Sequence, residues 1–157
     1  GIKKVFVESF PDNRFDSVDL LDIIKAISKV KDEIRPEIIF THYEHDLNID
    51  HYHTFFSTYV ACRPNNNYLI KKLLSFEIPS STDWGILDKS KIFCPNYFVD
   101  ISKFINKKIK ALKIYDKEIK KSPNARSLEN IKNHASTRGS TIGTYYAEAF
   151  FVERIQE

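Results

Sequence analysis

The chain has 157 residues, a net charge of +3, two cysteines and an aromatic content of 13%, from twelve Phe, eight Tyr and one Trp. That is enough chain for a hydrophobic core, but too few cysteines for a disulfide framework and too mild a charge to argue for nucleic acid. No apolar run reaches the length of a membrane span and no signal peptide opens the chain, so one domain over residues 1–157 in a reduced cytoplasmic setting is the expectation.

Val5 to Phe10 reads as a short strand, closed by the turn residues Pro11, Asp12 and Asn13. Asp19 is placed to cap a helix whose apolar residues Leu20, Ile23, Ile24, Ile27, Val30 and Ile34 recur at steps of three and four, and Pro36 ends it. Glu37 to Thr41 is a compact apolar strand of the kind buried on both faces of a parallel sheet. Asp50 can act as N-cap of a helix from His51 to about Cys62, stopped before Pro64. Leu69 to Phe76 is a second buried strand, followed by the loop Pro79, Ser80 and Ser81. Tyr97 to Val99 is a shorter strand. Ile101 to about Ile119 reads as a long helix with lysines on one side. A further helix starts at Ser127 and runs to about Thr137, broken by Gly139 and Gly143, and Tyr146 to Ile155 closes the chain as a strand or helix end. Strands alternating with helices favour an α/β sheet with parallel pairs and helices on both faces. Such sheets bind ligands outside the carboxyl ends of their strands.

Four of the five histidines, His42, His45, His51 and His53, fall between Thr41 and His53 together with Asp46 and Asp50. The cluster leaves the carboxyl end of an expected strand, where the architecture places a site. Imidazole and carboxylate are the usual ligands of a hydrolytic zinc, which keeps one position for water and lowers its pKa to about 7. His51, at a helix start, is the candidate metal ligand. Asp50 is a candidate for orienting an imidazole or a neighbouring donor from behind. The spacing alone is no zinc signature, and a capping or surface histidine is the competing reading.

Asp46-Leu47-Asn48-Ile49-Asp50-His51, preceded by Pro36 to His42, resembles the second motif of the PIG-L/LmbE-like deacetylase family. Arg138-Gly139, Gly143 and Tyr146-Ala147-Glu148-Ala149-Phe150 resemble its closing motif, and Phe10 to Arg14 resembles the segment between its early strands. The resemblance implies a Rossmann-like three-layer αβα fold with a mostly parallel sheet. It also implies a Zn2+-dependent amidohydrolase that removes acetyl from an N-acetylated sugar, commonly an N-acetylglucosamine derivative. By this match His51 is the family's third metal ligand and Asp50 the aspartate just before it.

Two departures qualify that match. The family's first motif, Ala-His-Pro-Asp-Asp-Glu, carries two further ligands and the general base, and it does not occur here. The chain also lacks methionine, and the two absences together lead to the expectation of an incomplete and inactive fragment, short of its first βα portion by roughly 60 residues. Asn48 stands where many members carry His; it can donate a hydrogen bond to an oxyanion but cannot exchange a proton.

Arg14, after a turn near a strand end, is a candidate substrate contact, with solvation as its rival reading. Arg63, before Pro64, is a candidate for binding an anionic group, with stabilisation of a helix C-terminus as its rival. Glu148 is expected to pair with Arg138. The lysines between 103 and 121 read as a solvated face rather than a nucleic-acid surface. The partner expectations are therefore an N-acetylated sugar, no nucleic acid and no membrane, with a homo-oligomer left open. The alternative function is a non-catalytic Rossmann-like module that binds a sugar, a nucleotide-sugar or a partner protein.

Overall fold

The computed structural model describes residues 1–64, 70–85 and 88–157. In chain order these hold a short 3-10 turn, Phe15–Ser17, then α1 (Leu20–Ile34), β1 (Ile38–His42), α2 (Ile49–Ala61) and β2 (Lys72–Phe76). A second 3-10 turn at Lys89–Lys91 precedes β3 (Tyr97–Asp100), α3 (Ile105–Leu112), α4 (Leu128–Thr141) and β4 (Ala147–Ile155). The strand order is β1-β2-β4-β3. β1 and β2 run parallel with Ile38 opposite Lys72 and His42 opposite Phe76, while β4 runs antiparallel to both β2 and β3. The result is a mixed α/β sheet flanked by helices.

Alternation along the strands decides which helix covers which face. Ile39 and Leu73 point toward the end of α2, where Cys62 and Ile70 complete a buried cluster. Phe40, Phe76 and Phe150 point the other way, toward Ile131, Ala135 and Arg138 of α4. Ile101, Ile105 and Ala135 pack α3 and α4 together.

Helix α1 follows its sequence signals. Asp19 accepts from the Leu21 amide at 2.9 Å, and Arg35 leaves the helix with φ 49° directly before Pro36. Other expectations are corrected. Val5 to Phe10 is not a strand: its β propensity finds no partner in the ladder, and a strand needs one. β1 is not buried on both faces, since it lies at the sheet edge with Phe40 50% exposed. The expected strand start at Leu69 falls outside the described residues; β2 begins at Lys72. The long helix expected from Ile101 shrinks to α3: Asp100 caps a turn at the Ser102 amide, and past Leu112 the apolar side chains of Ile114 and Tyr115 are exposed.

Gly139 does not break α4, which continues to Thr141. A Cβ at Gly139 would lie 2.7 Å from the Thr144 carbonyl oxygen and 2.7 Å from the Tyr146 amide nitrogen, so glycine there lets the returning chain close onto the helix. Gly143, with φ 73°, makes the turn into β4.

Candidate functional site

The carboxyl end of β1 and the start of α2 bring the histidine cluster together. His42 is the last residue of β1 and His51 lies in the first turn of α2. Their rings stack at 4.1 Å with 17° between planes, and His42 also meets the Phe76 ring at 5.1 Å. Burial lowers the pKa of His42 to about 4, helped by the neighbouring charge of His51 and opposed by Asp46. At neutral pH this imidazole is therefore uncharged.

Behind His51 stands Asp46, whose side chain is fully shielded from solvent. His51 Nδ1 lies 3.0 Å from Asp46 Oδ1 but without the angle of an in-line hydrogen bond. Asp46 also accepts from the Asn48 amide at 2.9 Å, from Thr82 Oγ1 at 2.9 Å and from Ser81 Oγ. Burial by itself would raise the Asp46 carboxyl; the His51, Ser81 and Asn48 contacts outweigh it and hold the group below the usual carboxylate range. The Asp46 contact leaves His51 Nε2 without a hydrogen-bond partner among the described residues. His51 is thus a 20% exposed imidazole with a buried carboxylate behind it.

The N-cap expectation for Asp50 is corrected. The N-cap of α2 is Asn48, whose Oδ1 accepts from the Asp50 amide at 2.8 Å. The Asp50 carboxylate does not reach an imidazole. It accepts from the backbone amides of Asn13 at 2.6 Å and Phe15 at 2.9 Å, fastening the loop before α1 to the start of α2. Within that loop Asn13 has φ 55°, and its Oδ1 accepts from Asn48 Nδ2 at 3.3 Å. Arg14 sits between the two fastened amides with its side chain exposed, on the same side of the fold as Asn48 and His51.

Arg63 is not brought to this group. It follows α2 at the opposite end from His51, about 18 Å along the axis at 1.5 Å per residue, and its Nε donates to the Val60 carbonyl at 3.1 Å. Charge at a helix C-terminus is what it provides. His45 pairs with Glu44 at 3.3 Å, and the buried Nδ1 of His53 has no partner among the described residues.

Sequence reasoning missed a second polar cluster, on the α4 side of the sheet. Glu77, just past the end of β2, takes Arg138 in a two-pronged contact (2.8 Å to Nε, 2.5 Å to the terminal nitrogen) and lies 2.8 Å from His134 Nε2. Burial pushes the Glu77 carboxyl up, but these two partners outweigh it and keep the group ionised below its ordinary value. Glu148, expected on Arg138, instead pairs with Lys108 at 2.9 Å. Phe40, Phe76 and Phe150 form the apolar wall of the adjoining cleft, which has a volume of about 350 Å³. No sequence pattern couples Glu77 to His134 and Arg138, which lie more than fifty residues further on.

The fit of a metal can be judged from these positions. Thr41 Oγ1, His42 Nδ1 and His51 Nδ1 are buried without hydrogen-bond partners, a concentration of unsatisfied polar atoms that marks the spot as special. Yet among the described residues no group of three or more His, Cys, Asp or Glu side chains is placed to hold a metal ion. The described residues supply one oriented imidazole and do not by themselves make a zinc centre.

Comparison with solved structures shows the same fold. The conserved protein TT1542 from Thermus thermophilus is 21% identical, with a TM-score of 0.71 over 94% of this chain and 64% of that one. GalB, the 4-carboxy-2-hydroxymuconate hydratase from Pseudomonas putida, is 19% identical, with a TM-score of 0.63 over 87% of this chain and 61% of that one. The N,N'-diacetylchitobiose deacetylase from Pyrococcus horikoshii is 18% identical, with a TM-score of 0.73 over 97% of this chain and 58% of that one. The chain therefore spans about three fifths of the length of the solved structures it matches. No curated protein matches it. The family model described as PIG-L, GlcNAc-PI de-N-acetylase, matches residues 1–62, from the opening segment through α2. That span contains Arg14, Asp46, Asn48, Asp50 and His51.

Proposed function

We propose that the strand-to-helix junction of this chain forms part of the active site of a zinc-dependent N-deacetylase, a hydrolase that removes acetyl from N-acetylated sugars of the N-acetylglucosamine type. The observation that carries the reading is His51. Its imidazole stands at the carboxyl end of β1, inside the span matched by the family model, with the buried Asp46 carboxylate behind it. A carboxylate behind the ring fixes its orientation and raises its basicity toward an electrophile on the other side. The likeness to a chitobiose deacetylase supports the sugar amide as substrate class.

The chain's own residues have definable tasks in this reading. Asp46 holds the Nδ1 side of His51. Asn48, committed through Oδ1 to capping α2 and through one amide hydrogen to Asn13 Oδ1, keeps its second amide hydrogen for a carbonyl oxygen that gains negative charge. Arg14, on a loop fastened by Asp50, anchors sugar hydroxyls. Among the described residues no group of three or more His, Cys, Asp or Glu side chains completes a metal site around His51. A fold shared with a hydratase leaves room for a second reading, a sugar-binding module without catalysis, favoured by the lack of a three-ligand group among the described residues.

The test is acetate release from an N-acetylglucosamine conjugate by the protein. Chelation and His51→Ala are each expected to abolish release, and added zinc is expected to restore only the unmutated protein. Acetate release that survives His51→Ala unchanged would overturn the assignment. Sugar binding with no acetate release at any zinc concentration would favour the binding module.

A further inference from the structure

Positive charge is concentrated in α3 and the turns around it. Residues 103–121 carry eight lysines against Asp116 and Glu118, a net charge of +6, whereas the whole chain carries +3, so everything outside this stretch sums to −3. Glu118 is taken by Arg126 at 2.7 Å, and α3 itself has no acidic residue. Lys108 pairs with Glu148 at 2.9 Å, while Lys107, Lys110 and Lys113 have no ion pair among the described residues.

The helix has two distinct sides. Ile105 and Ile109 turn inward against Ala135 of α4. Lys107 and Lys110 turn outward, and Ile114 follows on the same line. The Ile114 amide bonds the Ala111 carbonyl at 3.1 Å and the Tyr115 amide bonds the Leu112 carbonyl at 2.9 Å, so the helical path continues past Leu112. Lys107, Lys110 and Ile114 therefore share about 60° of arc at 100° per residue, and Phe104 and Tyr115 border that line on one side. Outward lysines are ordinary on a surface helix. An isoleucine 80% exposed, beside a tyrosine 66% and a phenylalanine 58% exposed, is not.

We propose that this face docks the protein peripherally on a bilayer that contains anionic phospholipid. Charge complementarity names the occupant. Each lysine near an anionic bilayer surface raises the partition coefficient by about fivefold, and the net −3 elsewhere turns this face, rather than another, toward the lipid. The apolar side chains separate lipid from other anionic polymers. At headgroup level Ile114, Tyr115 and Phe104 leave water; along a nucleic-acid backbone they would meet phosphates. The stretch also contains no arginine, the side chain whose planar fork suits nucleic-acid phosphates and guanine edges. Docking of this kind does not depend on the deacetylase reading, since no residue of the histidine site takes part.

Co-sedimentation with phosphatidylcholine vesicles, with and without phosphatidylserine, tests this. The protein is expected to bind the phosphatidylserine vesicles at low salt, to release as salt rises, and to leave pure phosphatidylcholine vesicles free. Replacing Lys107, Lys110 and Lys113 together by alanine should lower the partition coefficient by about 100-fold. Ile114→Ser should lower it by about tenfold without changing its dependence on salt. All four positions are exposed, and unchanged far-ultraviolet circular dichroism would show that the variants fold. No binding to anionic vesicles at low salt, equal binding to neutral ones, or a partition coefficient indifferent to the lysines or to Ile114 would overturn the proposal. A protein stripped from the vesicles by duplex DNA would assign the face to nucleic acid and overturn it equally.

Discussion

Replacing Asp46 by alanine strikes the centre of the site without touching His51. The side chain is fully shielded from solvent and takes three hydrogen bonds, from Ser81 Oγ, Thr82 Oγ1 and the Asn48 amide, besides its contact with His51. A hydrogen bond to a charged group contributes about 1.5–3 kcal/mol, and part of each is offset because the carboxylate was itself desolvated. Because the three donors surround one group their losses are not additive, and a net cost of about 3–4 kcal/mol follows. In a chain of this length that lowers the thermal midpoint by about 10 °C. Urea unfolding at pH 7 followed by tryptophan fluorescence measures it, and long-range 15N–1H correlation spectra report the state of the His51 ring. Asp46→Asn, which keeps the shape and two acceptor sites, should cost less than half as much while still releasing the ring. A loss below about 1 kcal/mol for Asp46→Ala, or a His51 spectrum identical to that of the parent, would show that Asp46 neither anchors the loop nor orients the imidazole.

Other expectations follow from single positions. Removing the α2 cap by Asn48→Ala should cost about 1 kcal/mol in urea unfolding, whereas Asn48→Asp, an equally good cap, should cost nearly nothing. Glu77 has a folded pKa below its ordinary value, so its contribution is complete above the unfolded carboxyl pKa of about 4.3 and fades as the pH falls through the folded one. The parent should therefore lose stability on acidification below about pH 5, and Glu77→Gln should flatten that part of the pH profile while costing about 2–4 kcal/mol at pH 7 by leaving Arg138 unpaired. Gly139→Ala drives a methyl into the Thr144 carbonyl and the Tyr146 amide, both backbone atoms at 2.7 Å; a thermal midpoint lowered by several degrees is expected, and an unchanged one would refute the close approach. Asp50→Ala should speed hydrogen exchange at the Asn13 and Phe15 amides and leave the α4 amides untouched.

What the sequence could say about this fold depended on how local each signal was. α1 was legible from end to end because its period, its Asp19 cap and its Pro36 stop all lie within eighteen residues. The place of the histidine cluster in the fold was legible because an apolar run followed by polar residues and a helix marks the carboxyl end of a strand. The partners of individual side chains were not. Asp46 and Asp50 are four residues apart, and either could be read as orienting an imidazole. Only the fold decides that the first turns toward His51 and the second toward the loop at Asn13, since the helix begins at Ile49 and not at His51. The direction of β4 was equally hidden, because an alternating run says nothing about which way its neighbours point. Val5 to Phe10 shows the converse: strong strand propensity without a neighbour to bond leaves the chain irregular.

The claim at the centre is that the Nε2 side of His51 faces a divalent cation while Asp46 holds the Nδ1 side. Zinc titration followed through the imidazole resonances of all five histidines tests it directly. The account predicts that His51 responds first, at its Nε2 nitrogen, with weak affinity in the chain as given and weaker still in Asp46→Asn. A response confined to His45 or His134, or one at His51 that enters through Nδ1, would contradict it.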